Sequence, residues 1–145
     1  MKAIVLTAYG DVDKLVLRDV PDPKPGPSEV KVKVAAASIN PVDWKLRSGA
    51  LQKFMPLQLP AILGRDVSGT VAEVGPGVTG FKPGDTVLGL VQQGYAEHVV
   101  TAQEGFARIP DGLDVQKAAA LPLVVLTGAQ LVEEATKRAR ESWYS

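Results

Sequence analysis

The chain has 145 residues and 46% apolar side chains, enough for about one domain with a core of its own, and 16 basic residues balance 16 acidic ones. That balance excludes the long-range positive field on which phosphate-backbone binding depends, so nucleic acid is not an expected partner. With no cysteine and a single histidine, the sequence also excludes disulfides, thiolate nucleophiles and every zinc site built on sulfur.

Glycines and prolines interrupt short runs of Val, Ile and Leu, which predicts a mainly β fold with a few helices. Met1 and Lys2 lead into AIVLTA, too short for a signal-peptide core or a membrane span, so the expected location is cytoplasmic and no membrane is expected as a partner. KAIVLTAYG and KLVLRDV read as a hairpin with Tyr9, Gly10 and Asp11 in the connection, followed by the rigid loop PDPKPGPS. In EVKVKVAA the alternation assigns Val30, Val32 and Val34 to a buried face and Lys31 and Lys33 to water. Asn40 and Pro41 end that strand, and residues 42–47 predict one or two helical turns.

Extended structure resumes in LPAILGRDVSGTVAEVG. GPGVTGFKPGD supplies two tight turns, and TVLGLV, GYAEHVVTA and FARIP are further short strands. So many short strands predict a small barrel or sandwich. Asp114 is placed to cap a helix beginning VQKAAA, and Pro122 to start another. Along LVVLTGAQLVEEATKRARE, Glu133 and Glu134 precede Lys137 and Arg138 by one helical turn, supporting a solvated face. Leu131, Val132 and Ala135 form the opposite stripe, which requires a cover. The expected division is a mainly β domain over residues 1–122 and a helical segment over residues 123–145.

Four segments in this order, AASINPVDWKLRSG, LPAILGRDVSGTVAEVGPGVTGFKPGDTVLG, GYAEHVVTAQEGFARIPDGL and AAALPLVVLTGAQLV, resemble the medium-chain dehydrogenase/reductase superfamily, in particular its zinc-free quinone oxidoreductase (zeta-crystallin-like) branch. The resemblance covers nearly all of residues 30–132. It implies a GroES-like, partly open β-barrel that carries the catalytic residues. In the family a doubly wound (Rossmann) domain follows and binds NADPH. The glycine fingerprint of that second domain is expected to be absent, because GPGVTG lies between two strands with PGD close behind and reads as a pair of β-turns. NADPH is therefore the family's cofactor but is not expected to bind this chain tightly, and the chain alone is expected to be inactive. The tail ATKRARESWYS departs from the family pattern, which continues into a short loop and a Val-rich strand.

Zinc-containing relatives place Cys, His and an acidic residue where Asn40, Arg65 and Asp66 stand, so only Asp66 could ligate and no metal is expected. Without a metal, the charge that builds on a carbonyl oxygen as hydride arrives calls for neutral or cationic donors, and Asn40 and Lys45 are of the right type. The resemblance puts Asn40 and Thr127 beside the nicotinamide and substrate, has Asp43 orient the loop, and lets Lys45 reach the cofactor or carbonyl. The expected catalytic set is thus Asn40, Lys45 and Thr127, and the cofactor-binding set adds Asp43.

Read without the resemblance, Asn40 and Asp43 also suit turn and cap hydrogen bonds, and Thr127 suits an ordinary back-bonded helical threonine. Trp44 and Tyr95 read as packing residues, and Arg65 as one arm of a buried ion pair or hydrogen bond. His98, the sole histidine, reads as structural. The expected reaction is hydride transfer from NADPH to a small-molecule quinone or enone. The alternatives are a GroES-like module that homodimerises through its exposed C-terminal helix, and a truncated fragment without activity.

Overall fold

Alternating valines in the middle of the chain build a five-stranded antiparallel sheet around which everything else is arranged. The computed structural model describes the backbone of residues 1–142 and the side chains of residues 1–137. In chain order the elements are β1 (Lys2–Leu6), β2 (Leu15–Asp19), β3 (Glu29–Ala37), α1 (Pro41–Ser48), β4 (Ala61–Ile62), β5 (Asp66–Val74), β6 (Thr86–Leu90), β7 (His98–Ala102), β8 (Phe106–Arg108), α2 (Val115–Ala118) and α3 (Pro122–Ser142). The large sheet has the order β7-β3-β5-β6-β8 and the small one β2-β1-β4. An isolated bridge between Ala3 and Ala96 joins the two, so the barrel is open and not closed.

Val30 and Val32 on β3, Val67 and Val71 on β5, Val87 on β6 and Val99 on β7 fill the main core with almost no exposure. Each buried valine contributes roughly 1.5–3 kcal/mol against exposure. A second cluster of Leu6, Leu46 and Leu63 seats α1 against β1. The hairpin of β1 and β2 pairs Lys2 with Asp19 through to Leu6 with Leu15, as the sequence pattern predicts. At Gly69, where β5 meets a register shift in β3, an added Cβ would run into the Lys33 carbonyl, so the two strands approach closely only because the side chain is absent.

One side-chain assignment is corrected. Lys31 is 4% exposed, not solvated. The proline-rich loop folds over it, and its ammonium meets Asp22 at 2.7 Å and Glu73 at 2.9 Å. A register shift between Lys31 and Val32 breaks strict alternation at this point. Alternation alone predicts a water-facing lysine; the covering loop supplies counter-charges that make burial tolerable.

The helices form where their signals stand. Pro41 opens α1, and Gly49 closes it in the left-handed region at φ 83°. Asp114 caps α2, its carboxylate accepting from the Gln116 and Lys117 N–H groups. Along α3, Leu131 and Val132 are exposed, and among the described residues Glu133 and Lys137 form no ion pair. The expected Glu134–Arg138 pair involves a side chain outside the described residues, as does most of the tail.

Candidate active site

The extended pattern of β3 ends at Ala37, and the next residues turn into α1 beside the start of β5 and the first turn of α3. This is the junction at which the sequence-predicted residues are tested. Asn40 caps α1: its N–H donates to Asp43 Oδ2 at 2.7 Å, and the Asp43 N–H returns to the Asn40 carbonyl at 2.9 Å. Asn40 is buried, at 7% exposure.

Asp66 is the hub. It is fully buried, and a buried carboxylate persists only where donors replace its water. Three do so: Ser38 Oγ at 2.7 Å, Asn40 Nδ2 at 2.9 Å, and the Leu123 backbone N–H at 2.9 Å. The last comes from the first turn of α3, whose unpaired N–H groups and positive dipole end favour an anion. Asn40 Nδ2 also donates to Ser38 Oγ at 3.1 Å. Because the carboxylate only accepts, this network fixes which way the Asn40 amide is turned.

Asp43 is 3% exposed, and its Oδ1 has no hydrogen-bond partner. It borders a small cavity of about 90 Å³ walled by Leu15, Ile39, Trp44, Leu63 and Tyr95. The Tyr95 hydroxyl donates to the Ser38 carbonyl at 3.2 Å. Burial first, then the nearby Asp43 and Asp66 carboxylates, hold this phenol well above the ordinary tyrosine range, so it stays a neutral donor.

Asn40 and Asp43 are therefore brought together with Asp66 and α3, and Thr127 lies one helical turn beyond Leu123 with its side chain exposed. Lys45 is exposed on α1, its Nζ 5.6 Å from the Trp44 ring centroid, and it bonds to none of the network. Two expectations are corrected. Arg65 makes no ion pair or side-chain hydrogen bond among the described residues, and its Nε is buried without a partner. His98 does have an acid: Nδ1 lies 2.8 Å from Asp22 Oδ1. The two are 76 residues apart, so only the fold reveals the pair.

Sequence reasoning missed Ser38 and underrated Asp66 and Tyr95. Ser38 carried no signal beyond its place two residues before Asn40. Asp66 was readable as an acid in an apolar strand, which must find donors when buried.

No group of three or more His, Cys, Asp or Glu among the described residues is arranged to hold a metal ion. The residues present do not form a pyrophosphate cradle either: the GPGVTG segment is a turn between β5 and β6, with Gly77 at φ 83°, and it opens no helix. Among the described residues, no helix is long and apolar enough to cross a membrane.

The profile of the alcohol dehydrogenase GroES-like domain matches residues 26–111. The chain belongs to this family. The GroES-like domain is 41% identical over 135 residues to the chloroplast envelope quinone oxidoreductase homolog of Arabidopsis thaliana, with 90% of this chain and 41% of that protein aligned. The quinone oxidoreductase from Coxiella burnetii superposes with a TM-score of 0.84 at 33% identity, covering 94% of this chain and 45% of that one. A mycobacterial protein solved in complex with NADPH superposes with a TM-score of 0.83 at 35% identity, covering 91% and 40%. The chain thus spans about two fifths of the length of the curated relative. The resemblance to the medium-chain dehydrogenase/reductase superfamily and the GroES-like fold expected from the motifs are both borne out.

Proposed function

We propose that this chain is the substrate-side, N-terminal domain of a zinc-independent, NADPH-dependent oxidoreductase that reduces a quinone or an enone. Residues 1–122 form the catalytic domain and residues 123–145 lead toward a nucleotide-binding domain. NADPH, when bound to the complete enzyme, supplies the hydride; the residues here shape where the acceptor sits. Asn40 and Asp43 hold the loop between β3 and α1, Lys45 offers a cationic donor to the carbonyl oxygen, and Thr127 adds a hydroxyl from α3. Asn40, Lys45 and Thr127 are the proposed catalytic groups, and Asp43 joins them in cofactor binding. A cytoplasmic location belongs to the same reading and is supported by the absence of cysteine.

The observation that carries this reading is the saturated Asp66 carboxylate. Three protein donors already meet it: Ser38, Asn40 and Leu123. In a zinc-dependent relative this position sits beside the metal; here its acceptor capacity is used to lock an amide and seat a helix. The test is NADPH consumption with a quinone and with an enone, measured on this domain joined to the nucleotide-binding domain of a family relative. Activity that survives exhaustive chelation supports the proposal. Activity only after zinc is added contradicts it.

A second reading has one specific observation in its favour. Val124, Val125, Leu126, Leu131 and Val132 are all exposed on α3. A groove of about 380 Å³ runs beside them, walled by Leu88, Phe106, Leu121 and Pro122. A module that docks or homodimerises through this face would use it. Light scattering decides: a strict monomer that binds no apolar dye removes that reading.

A further inference from the structure

Arg65 stands at the entry to β5, one residue before the saturated Asp66 carboxylate. Among the described lysines and arginines, those withdrawn from bulk solvent have carboxylate partners: Lys14 with Asp13, Lys31 with Asp22 and Glu73, and Arg47 with Asp11. Arg65 is part-buried and has none. Its carbonyl accepts the Val91 N–H at 2.7 Å, which fixes the main chain, but its Nε is sealed from solvent with no acceptor. Asp66 is not available, since Ser38, Asn40 and Leu123 already donate to it. A guanidinium stays charged at every working pH, so this one waits half-buried without a counter-charge.

We propose that Arg65 is an anion-binding arm of the candidate site, taking a two-oxygen anionic group, carboxylate or phosphate, of the bound ligand. Its planar fork matches either group bidentately. Leaving the inward position breaks no hydrogen bond, so the arm swings to a ligand at little cost. Its Cα lies one peptide from that of Asp66, which places the root of the arm beside the Asn40 network. A formal net charge of zero means that the chain as a whole does not gather small anions, so binding here is a property of the site. The identity of the anion rests on the function proposed above, in which phosphate belongs to the cofactor and a carboxylate would be a substituent carried by the quinone or enone.

The test is an NMR titration of the 145-residue chain with inorganic phosphate and, separately, acetate, following the Arg65 Nε–Hε signal, assigned by its loss in Arg65→Lys, and, in parent and variants alike, the backbone amides of residue 65, Asp66 and Val91. The expected result is a saturable shift with at least one anion, affinity about tenfold weaker in Arg65→Lys, which keeps the charge but not the fork, and no binding in Arg65→Gln. Saturation by phosphate alone assigns the arm to the cofactor; saturation by acetate alone assigns it to the substrate. No saturable shift with either, a shift spread over the exposed basic side chains as for an adventitious ion only, or unchanged affinity in Arg65→Lys overturns the proposal. Should Arg65→Gln not fold, the Arg65→Lys comparison still decides. The titration uses neither NADPH nor turnover, so its failure leaves the proposed reaction standing, and failure of the reaction leaves the anion site standing.

Discussion

Asp66 and Leu123 lie 57 residues apart and are joined by one hydrogen bond of 2.9 Å, from the first turn of α3 to a carboxylate with no solvent exposure. That bond ties the end of the chain to the loop bearing Asn40, because the same carboxylate also receives the Asn40 amide. Whatever moves α3 is felt at Asn40.

Asp66→Asn keeps the shape and removes the charge. Three donors then face a group with one acceptor oxygen and two donor hydrogens, so at least one donor is stranded in the interior. The expected loss is about 2–4 kcal/mol in urea unfolding, with hydrogen exchange at the Leu123 amide rising toward that of an unprotected helix end.

The clamp on Lys31 gives stability two pH limits. Hydrogen bonding from Lys31, then from His98, holds Asp22 below its ordinary 3.8, so its contribution is present above that value and is lost as pH falls through the lower folded value. Hydrogen bonds to Asp22 and then Glu73 raise Lys31 above its ordinary 10.5; its contribution is complete below that value and is lost as pH rises through the higher folded one. Thermal unfolding against pH therefore shows a plateau falling at both ends. In Lys31→Met both limbs flatten, because one side chain serves each of them.

Gly69→Ala pushes a methyl group into the Lys33 carbonyl at the tightest point between β3 and β5. The chain either opens the register shift or loses pairing, and about 1–3 kcal/mol of stability goes with it. Gly84→Ala meets nothing within 4 Å but forces a residue with Cβ into φ 94°, so it costs backbone strain and no clash.

Metal analysis separates two uses of the same corner of the fold. Purified chain, dialysed without chelator in zinc-containing buffer and then washed, is expected to retain well under one zinc per chain. Stoichiometric retention contradicts the donor set described, in which Asn40 and Arg65 occupy positions where zinc-bearing relatives place ligands.

The strands, the hairpin, α1 and the caps were legible because each is written locally, in alternation, in a proline at a helix start or in an acid before an apolar run. Asn40 and Asp43 were legible for the same reason, being three positions apart on one loop and bonded to each other. The burial of Lys31, the pairing of His98 with Asp22 and the convergence on Asp66 were not, since each joins residues from distant elements. Arg65 shows the reverse case: its type and place suggest a partner, and the fold gives it none.

Under the proposed function, reduction at this junction proceeds without zinc. The deciding measurement is the NADPH-dependent reduction of a quinone after exhaustive chelation, with Asn40→Ala as control, in this domain joined to the nucleotide-binding domain of a family relative. Chelation is expected to leave the rate unchanged and Asn40→Ala to lower it by at least about tenfold, in the range for loss of one group that positions or stabilises the reacting centre. A rate abolished by chelation and restored by zinc, or an Asn40→Ala enzyme as fast as the parent, contradicts that expectation.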